Sequence, residues 1–146
     1  MPDHFDPAEF LSVTGDAVVA ANARGEIIYW NPAATGLFGY TQEEALGRPL
    51  DLIIPERLRE RHWSGYNRVM KSGETRYGSA VLRVPALHKD GRALSIAFTV
   101  ALMGAPDGSW IIASTLRDET ARWQEERQLK QRITVLQANS RGPETA

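Results

Sequence analysis

Two kinds of spacing alternate along this chain. Residues 17–22 (AVVAAN) and 26–30 (EIIYW) are rich in β-branched and aromatic positions, and Ala23-Arg24-Gly25 between them has the composition of a tight turn. Strands joined this closely predict an antiparallel hairpin. The arrangement recurs at 77–87 and 92–103, separated by His88-Lys89-Asp90-Gly91, where Asp-Gly is a strong hairpin signal. In the second of these runs Leu94, Ile96, Phe98, Val100 and Leu102 alternate with Ala93, Ser95, Ala97, Thr99 and Ala101. Large apolar side chains therefore take one face and small ones the other, and both faces are expected to be covered, the second by something close. A fifth run, 109–118, follows the turn at 104–108.

The other spacing is helical. Asp6 as N-cap, Pro7 at the first position and Glu9 at the third predict a helix through about Val13, which Phe5 and Phe10 would pin to an apolar partner. Asn31-Pro32 and the pair Thr41 and Glu44 open two short helices, limited by Gly36, Gly39 and Gly47. Pro55 begins the longest helix of the body, about 55–72. On it Leu58, His62, Tyr66 and Val69 follow the i, i+4, i+8, i+11 spacing of one inward stripe. Arg57, Arg59, Arg61 and Arg68 interleave with Glu56 and Glu60, which reads as a solvated, salt-bridged face. From 119 to 137 the pattern turns helical again, with a narrow apolar seam at Leu129, Ile133 and Leu136. Those 19 residues span about 28 Å, too long for a cap on a small domain. The organisation read from this is a cap helix at 1–13, a body at 14–118, a projecting helix at 119–137 and a disordered tail at 138–146.

Composition narrows the function. With 17 Lys and Arg against 18 Asp and Glu the formal charge is −1, which argues against nucleic acid or an anionic membrane as partner. The chain has no cysteine, so disulfides, Cys-ligated zinc and thiol nucleophiles are excluded. No apolar run approaches the roughly 20 residues of a membrane helix, and the N-terminus lacks a signal-peptide layout. A cytoplasmic protein is expected. No nucleophile elbow, phosphate-cradling glycine loop or pair of carboxylates on an apolar face is present, and no histidine lies in the C-terminal helix to accept a phosphoryl group. A sensor or binding module is expected rather than an enzyme.

The residue order then carries a resemblance. Asn31, Ala33, Gly39, Tyr40, Glu44 and Gly47 in WNPAATGLFGYTQEEALGRPL resemble the S-box region of PAS sensors. His88 to Arg92 resembles that family's hairpin between its third and fourth strands, and Arg117, Asp118 and Thr120 resemble its exit from the last strand into a signalling helix. The resemblance implies an α+β fold with a five-stranded antiparallel sheet in the order 2-1-5-4-3, and short helices plus one longer helix over one face. It also implies a sensory module with an apolar ligand cavity between that face and the helices, working as a homodimer. Its output would be a separate signalling protein such as a kinase, or one from which this domain is excised. The homodimer is expected to form through Phe5, Phe10, Leu11 and Trp123, with Asp118 and Thr120 at the exit and Leu129, Ile133 and Leu136 as a coiled-coil seam.

In oxygen-sensing haem PAS domains a histidine at the position of His62 is the proximal iron ligand, so the resemblance makes His62 a candidate haem ligand. Leu82, Ile96, Phe98, Val100, Tyr66 and Trp63 would line the cofactor site. The distal arginine of those sensors falls near Leu82, which cannot donate a hydrogen bond, and the adjacent Arg83 points the other way in a strand. Leu82 therefore favours CO, NO or redox sensing over stable O₂ binding. From the residues alone, a lone inward histidine is more often a hydrogen-bonded core residue than a ligand, and a ligand-free docking module stays open. Without cysteine a covalent flavin adduct is excluded; non-covalent flavin would draw on Trp30, Trp63 or Trp110 for stacking, against their reading as packing residues. His4 and His88 are expected in solvent.

Overall fold

The computed structural model describes residues 3–75 and 78–140. Helix α1 (Pro7–Val13) is followed by β1 (Ala17–Ala21), β2 (Ile27–Trp30), α2 (Pro32–Phe38) and α3 (Gln42–Ala45). Two 3₁₀ turns, Leu50–Ile53 and Glu56–Leu58, lead into α4 (Arg59–Ser72), and β3 (Leu82–Leu87), β4 (Ala93–Gly104), β5 (Trp110–Asp118) and α5 (Thr120–Ser140) complete the chain. The expected helix starts form for the expected reasons. Asp6 accepts from the Ala8 amide, Asn31 from Ala34, and Thr41 with Glu44 makes a reciprocal capping box.

The strands form one antiparallel sheet in the order β2-β1-β5-β4-β3, as expected. Register sorts its faces. Leu82, Phe98, Leu116 and Ala17 lie in one cross-strand row, and Val100, Ser114, Val19 and Trp30 in another, so these side chains share the inner face. Over that face Trp30, Phe38 and Ile27 are almost fully buried, with Leu94, Ile96 and Ile53 around them. Burial of Phe38 alone contributes roughly 2–3 kcal/mol. Trp30 donates to Thr35 Oγ1 and to the Tyr40 carbonyl, both at 3.1 Å, and stacks obliquely on Phe38. Its ring belongs to this core and is not free to stack on a flavin.

The outer face is only partly covered. Glu119 donates to the Ser95 carbonyl and Ser95 to Thr120 Oγ1, so the start of α5 passes over this end of β4. Beyond it Ala101 and Met103 are exposed, and Thr99 and Thr115 hydrogen-bond to each other across the strands at 2.9 Å. The expected cover for the small-residue face is therefore limited to its Ser95 end.

Other expectations are corrected. β3 begins at Leu82 rather than 77: Tyr77 lies outside the described residues, and a turn at Gly78-Ser79 delays the strand. Pro85 fits there because β3 is an edge strand, where a missing amide donor is tolerated. α5 runs on to Ser140, past the expected end at 137, because Ala138, Asn139 and Ser140 hold no breaker before Gly142-Pro143; residues 141–146 of the expected tail lie outside the described residues. Phe5 and Phe10 do not pin α1 to an apolar surface of this chain: they stack on each other at 5.7 Å and stay 68% and 51% exposed. α1 is held instead by a polar link, described below.

Candidate functional site

Helix α4 carries the candidate site. The helix expected from Pro55 opens as the 3₁₀ turn Glu56–Leu58 and becomes α-helical only at Arg59. Along the two, Leu58, His62, Tyr66 and Val69 face inward, Tyr66 buried and the others half-buried, while Arg57, Glu60, Arg61 and Arg68 are exposed. Gly73 ends the helix, donating its amide to the Val69 carbonyl. The expected arginine–glutamate face is solvated but not salt-bridged: among the described residues Arg57, Arg61 and Arg68 form no ion pair with Glu56 or Glu60. Arg59 is half-buried and donates to the backbone carbonyls of Ile54 and Asp51 at 3.0 and 3.2 Å.

Three aromatic rings gather on α4. The His62 ring lies 4.8 Å from Trp63 and 5.6 Å from Tyr66, and Trp63 and Tyr66 are 5.3 Å apart. Two of them are fixed by hydrogen bonds: Trp63 Nε1 donates to Asp51 Oδ1 at 2.6 Å, and the Tyr66 hydroxyl donates to the Asn22 carbonyl at 2.5 Å. The third is not. His62 Nδ1 is buried and has no hydrogen-bond partner among the described residues. Burial lowers the His62 pKa from its usual 6.5, with the Asp51 carboxylate pulling weakly the other way, so the imidazole is neutral at pH 7. Burial pushes the Tyr66 phenol up to about 12, so its proton stays on the oxygen that donates to Asn22.

The indole of Trp63 lies against the β1–β2 turn. A Cβ on Gly25 would fall 2.1 Å from the Trp63 ring, and Gly25 has φ +78°, so only glycine fits this turn under this helix. The Asn22 side chain shapes the same turn by accepting from the amides of Arg24 and Glu26. Neither Asn22, Gly25 nor Asp51 stood out in the sequence as part of the site; the only signal was the Asn-x-x-Gly turn composition.

The remaining candidates fall into two groups. Leu82, Phe98 and Val100 are half-buried and Ile96 buried, all on the inner sheet face. Asp118, Thr120 and Trp123 stand at the exit: Asp118 accepts from the Thr120 amide, Thr120 from Ser95, and Trp123 is exposed with the Arg127 guanidinium 5.3 Å above its ring. Leu129, Ile133 and Leu136 are exposed on α5, as Phe5 and Phe10 are on α1, while Leu11 is half-buried. Trp110 sits against Gly73 at the end of α4. His88 is a correction: it is half-buried, packed so tightly on Gly39 (φ +87°) that a Cβ there would meet its ring at 2.6 Å, and its Nδ1 accepts from the Asp90 amide. Among the described residues no three His, Asp or Glu side chains converge as metal ligands, and no helix is long and apolar enough to cross a membrane.

Comparison with known proteins bears on this arrangement. The family model of the PAS fold matches residues 6–118. The oxygen sensor protein DosP of Escherichia coli K12 is 27% identical over 132 residues, covering 90% of this chain and 16% of its own length. The sensor protein FixL of Bradyrhizobium diazoefficiens is 26% identical over 128 residues, 88% of this chain and 24% of its own. This chain thus spans a quarter or less of either curated relative. A crystal structure of the PAS domain of a Colwellia psychrerythraea protein superposes with a TM-score of 0.67 at 24% identity, over 78% of this chain and 94% of the other.

Proposed function

We propose, starting from the premise that this chain belongs to the PAS family, that it is a sensory module whose ligand lies between α4 and the inner sheet face and is read by His62. The observation that carries this reading is the buried, unpartnered Nδ1 of His62. A buried polar atom left without a hydrogen bond costs about 1–3 kcal/mol, a cost that a functional contact offsets. Its neutral imidazole suits a metal centre better than a charged ligand would.

Haem is the cofactor whose chemistry fits these residues. When bound it supplies an iron that takes a gas or changes oxidation state. His62 would hold it through its imidazole, with Trp63 and Tyr66 packed beside that ring and restricting its rotation. Leu82, Ile96, Phe98 and Val100 would wall the site and keep water out. Leu82 offers no donor on that wall, which favours CO, NO or redox sensing. The similarity to an oxygen sensor protein over nine-tenths of the chain supports gas sensing in general, while Leu82 sets this chain apart on the choice of gas. Non-covalent flavin fits less well, because Trp30 and Trp63 are already held by hydrogen bonds.

Output would pass through the termini. In this reading the cap helix at 1–13, the body at 14–118 and the helix from 119 onward divide the work. A second copy covers Phe5, Phe10, Leu11 and Trp123 together with the Leu129, Ile133 and Leu136 seam, and a kinase-like protein in the cytoplasm reads the pair.

The test is an absorption spectrum of the protein produced with a haem precursor, before and after dithionite and CO, beside His62→Ala. A Soret band that shifts with CO and vanishes in the variant is expected. A featureless spectrum sinks the haem reading and leaves a ligand-free docking module. A complex that holds O₂ stably removes the role given to Leu82.

A further inference from the structure

A cleft of about 290 Å³ opens beside the aromatic cluster, between the segment 48–52, the first turn of α4 and the end of β3. Its apolar walls are Tyr40, Leu52 and Leu87; its polar groups are Arg48, Arg59 and Asp51. Arg59 is the unusual member. It is half-buried, and the hydrogen bonds it makes run to two neutral carbonyls, those of Ile54 and Asp51. Among the described residues it forms no ion pair, and neither does Arg48, which is exposed at the rim. The one carboxylate on the wall, Asp51, already accepts from the Trp63 indole through Oδ1. Two guanidinium groups against one carboxylate leave the cleft with a net positive charge.

A partly desolvated guanidinium without an anion is costly, and a planar oxyanion is the partner its fork of donors matches best. Small-molecule sites commonly combine apolar walls with a few fixed polar groups of this kind. We infer that this cleft is a binding site for a small organic anion with an apolar body, held by Arg59 and Arg48 through its carboxylate and by Tyr40, Leu52 and Leu87 through its hydrocarbon part. The site lies apart from the proposed cofactor position and does not depend on it. It does share one residue with the aromatic cluster: Asp51 gives its backbone carbonyl to Arg59 and its carboxylate to Trp63, so a ligand on Arg59 is reported by the Trp63 indole.

The experiment is a titration of the ¹⁵N-labelled full chain, produced without haem precursor, with phenylacetate, its methyl ester and phenyl phosphate. The Trp63 indole N–H and the Arg59 Nε–H resonances are followed. Phenylacetate is expected to shift both saturably, with a dissociation constant of roughly 1 mM or tighter, while the ester leaves them in place. Arg59→Met should weaken binding about tenfold or more, and Arg48→Ala, at an exposed position, a few-fold without disturbing the fold. Phenyl phosphate binding as tightly as phenylacetate, or tighter, widens the ligand class to phosphates and keeps the anion site. Equal shifts with acid and ester, no shift with either anion, or unchanged affinity in a folded Arg59→Met overturns the inference.

Discussion

The side-chain amide of Asn31 donates to the carbonyl of Leu11 at 2.8 Å and so ties α1 to the head of α2. The same side chain donates to the Asp16 carbonyl and accepts from the amides of Val18 and Ala34, joining four segments through one buried carboxamide. Every donor and acceptor it has is used on backbone. Asn31→Ala leaves two part-buried carbonyls and the buried Val18 amide without that partner. It is expected to cost about 2–4 kcal/mol by urea denaturation, and to expose α1 to protease before the rest of the chain.

Gly25 and Trp63 are expected to be strongly coupled. Gly25→Ala puts a methyl group into the indole and a side chain on a left-handed backbone, a loss of at least about 2 kcal/mol. In a Trp63→Leu background the collision is relieved and only the backbone cost of about 1 kcal/mol remains. A double-mutant cycle that shows additive effects would contradict the contact.

Burial of His62 has a pH signature. Its folded pKa lies below the usual 6.5, so between those two values the unfolded chain binds more protons than the folded one. Stability from this residue is therefore complete above about pH 6.5 and falls on acidification until the folded pKa is passed. His62→Gln should flatten that part of the stability–pH curve. If wild type and variant differ by a constant across it, His62 is not buried as described.

The exposed seam on α5 predicts self-association. Leu129→Asp with Ile133→Asp should convert a dimer to monomer in equilibrium sedimentation at roughly tens of micromolar. A wild-type protein that sediments as monomer there removes this part of the proposed function.

Much of the fold was legible because its signals are local. Asp6, Asn31, Thr41 and Gly39 each end or start a helix through atoms within four residues, and the alternation from Leu94 to Leu102 sets the inner face of β4 without knowledge of its neighbours. The inward stripe of α4 was equally readable from spacing. What surrounds His62 was not. The contacts of Trp63 with Asp51 and of Tyr66 with Asn22 cross 12 and 44 residues and involve a backbone carbonyl in one case, which leaves no pattern in a sequence. Asn31 shows the same limit: its cap to Ala34 could be read, whereas its bonds to Leu11 and Asp16 depend on how α1 returns to the body. His88 was placed in solvent because turns usually are, and Gly39 moved it inward.

Strand β1 touches both halves of this arrangement. At one end it runs into the turn on which Trp63 and Tyr66 rest; at the other, Asp16 binds the Arg117 guanidinium through both carboxylate oxygens, at 2.8 and 3.2 Å, three residues before α5 begins. All five of its residues are buried, and it is hydrogen-bonded on both sides. A rod of that length spans about 17 Å. Helix α4 and the start of α5 thus meet opposite ends of one stiff strand, and a shift of α4 against its turn has one short strand to displace before it reaches α5.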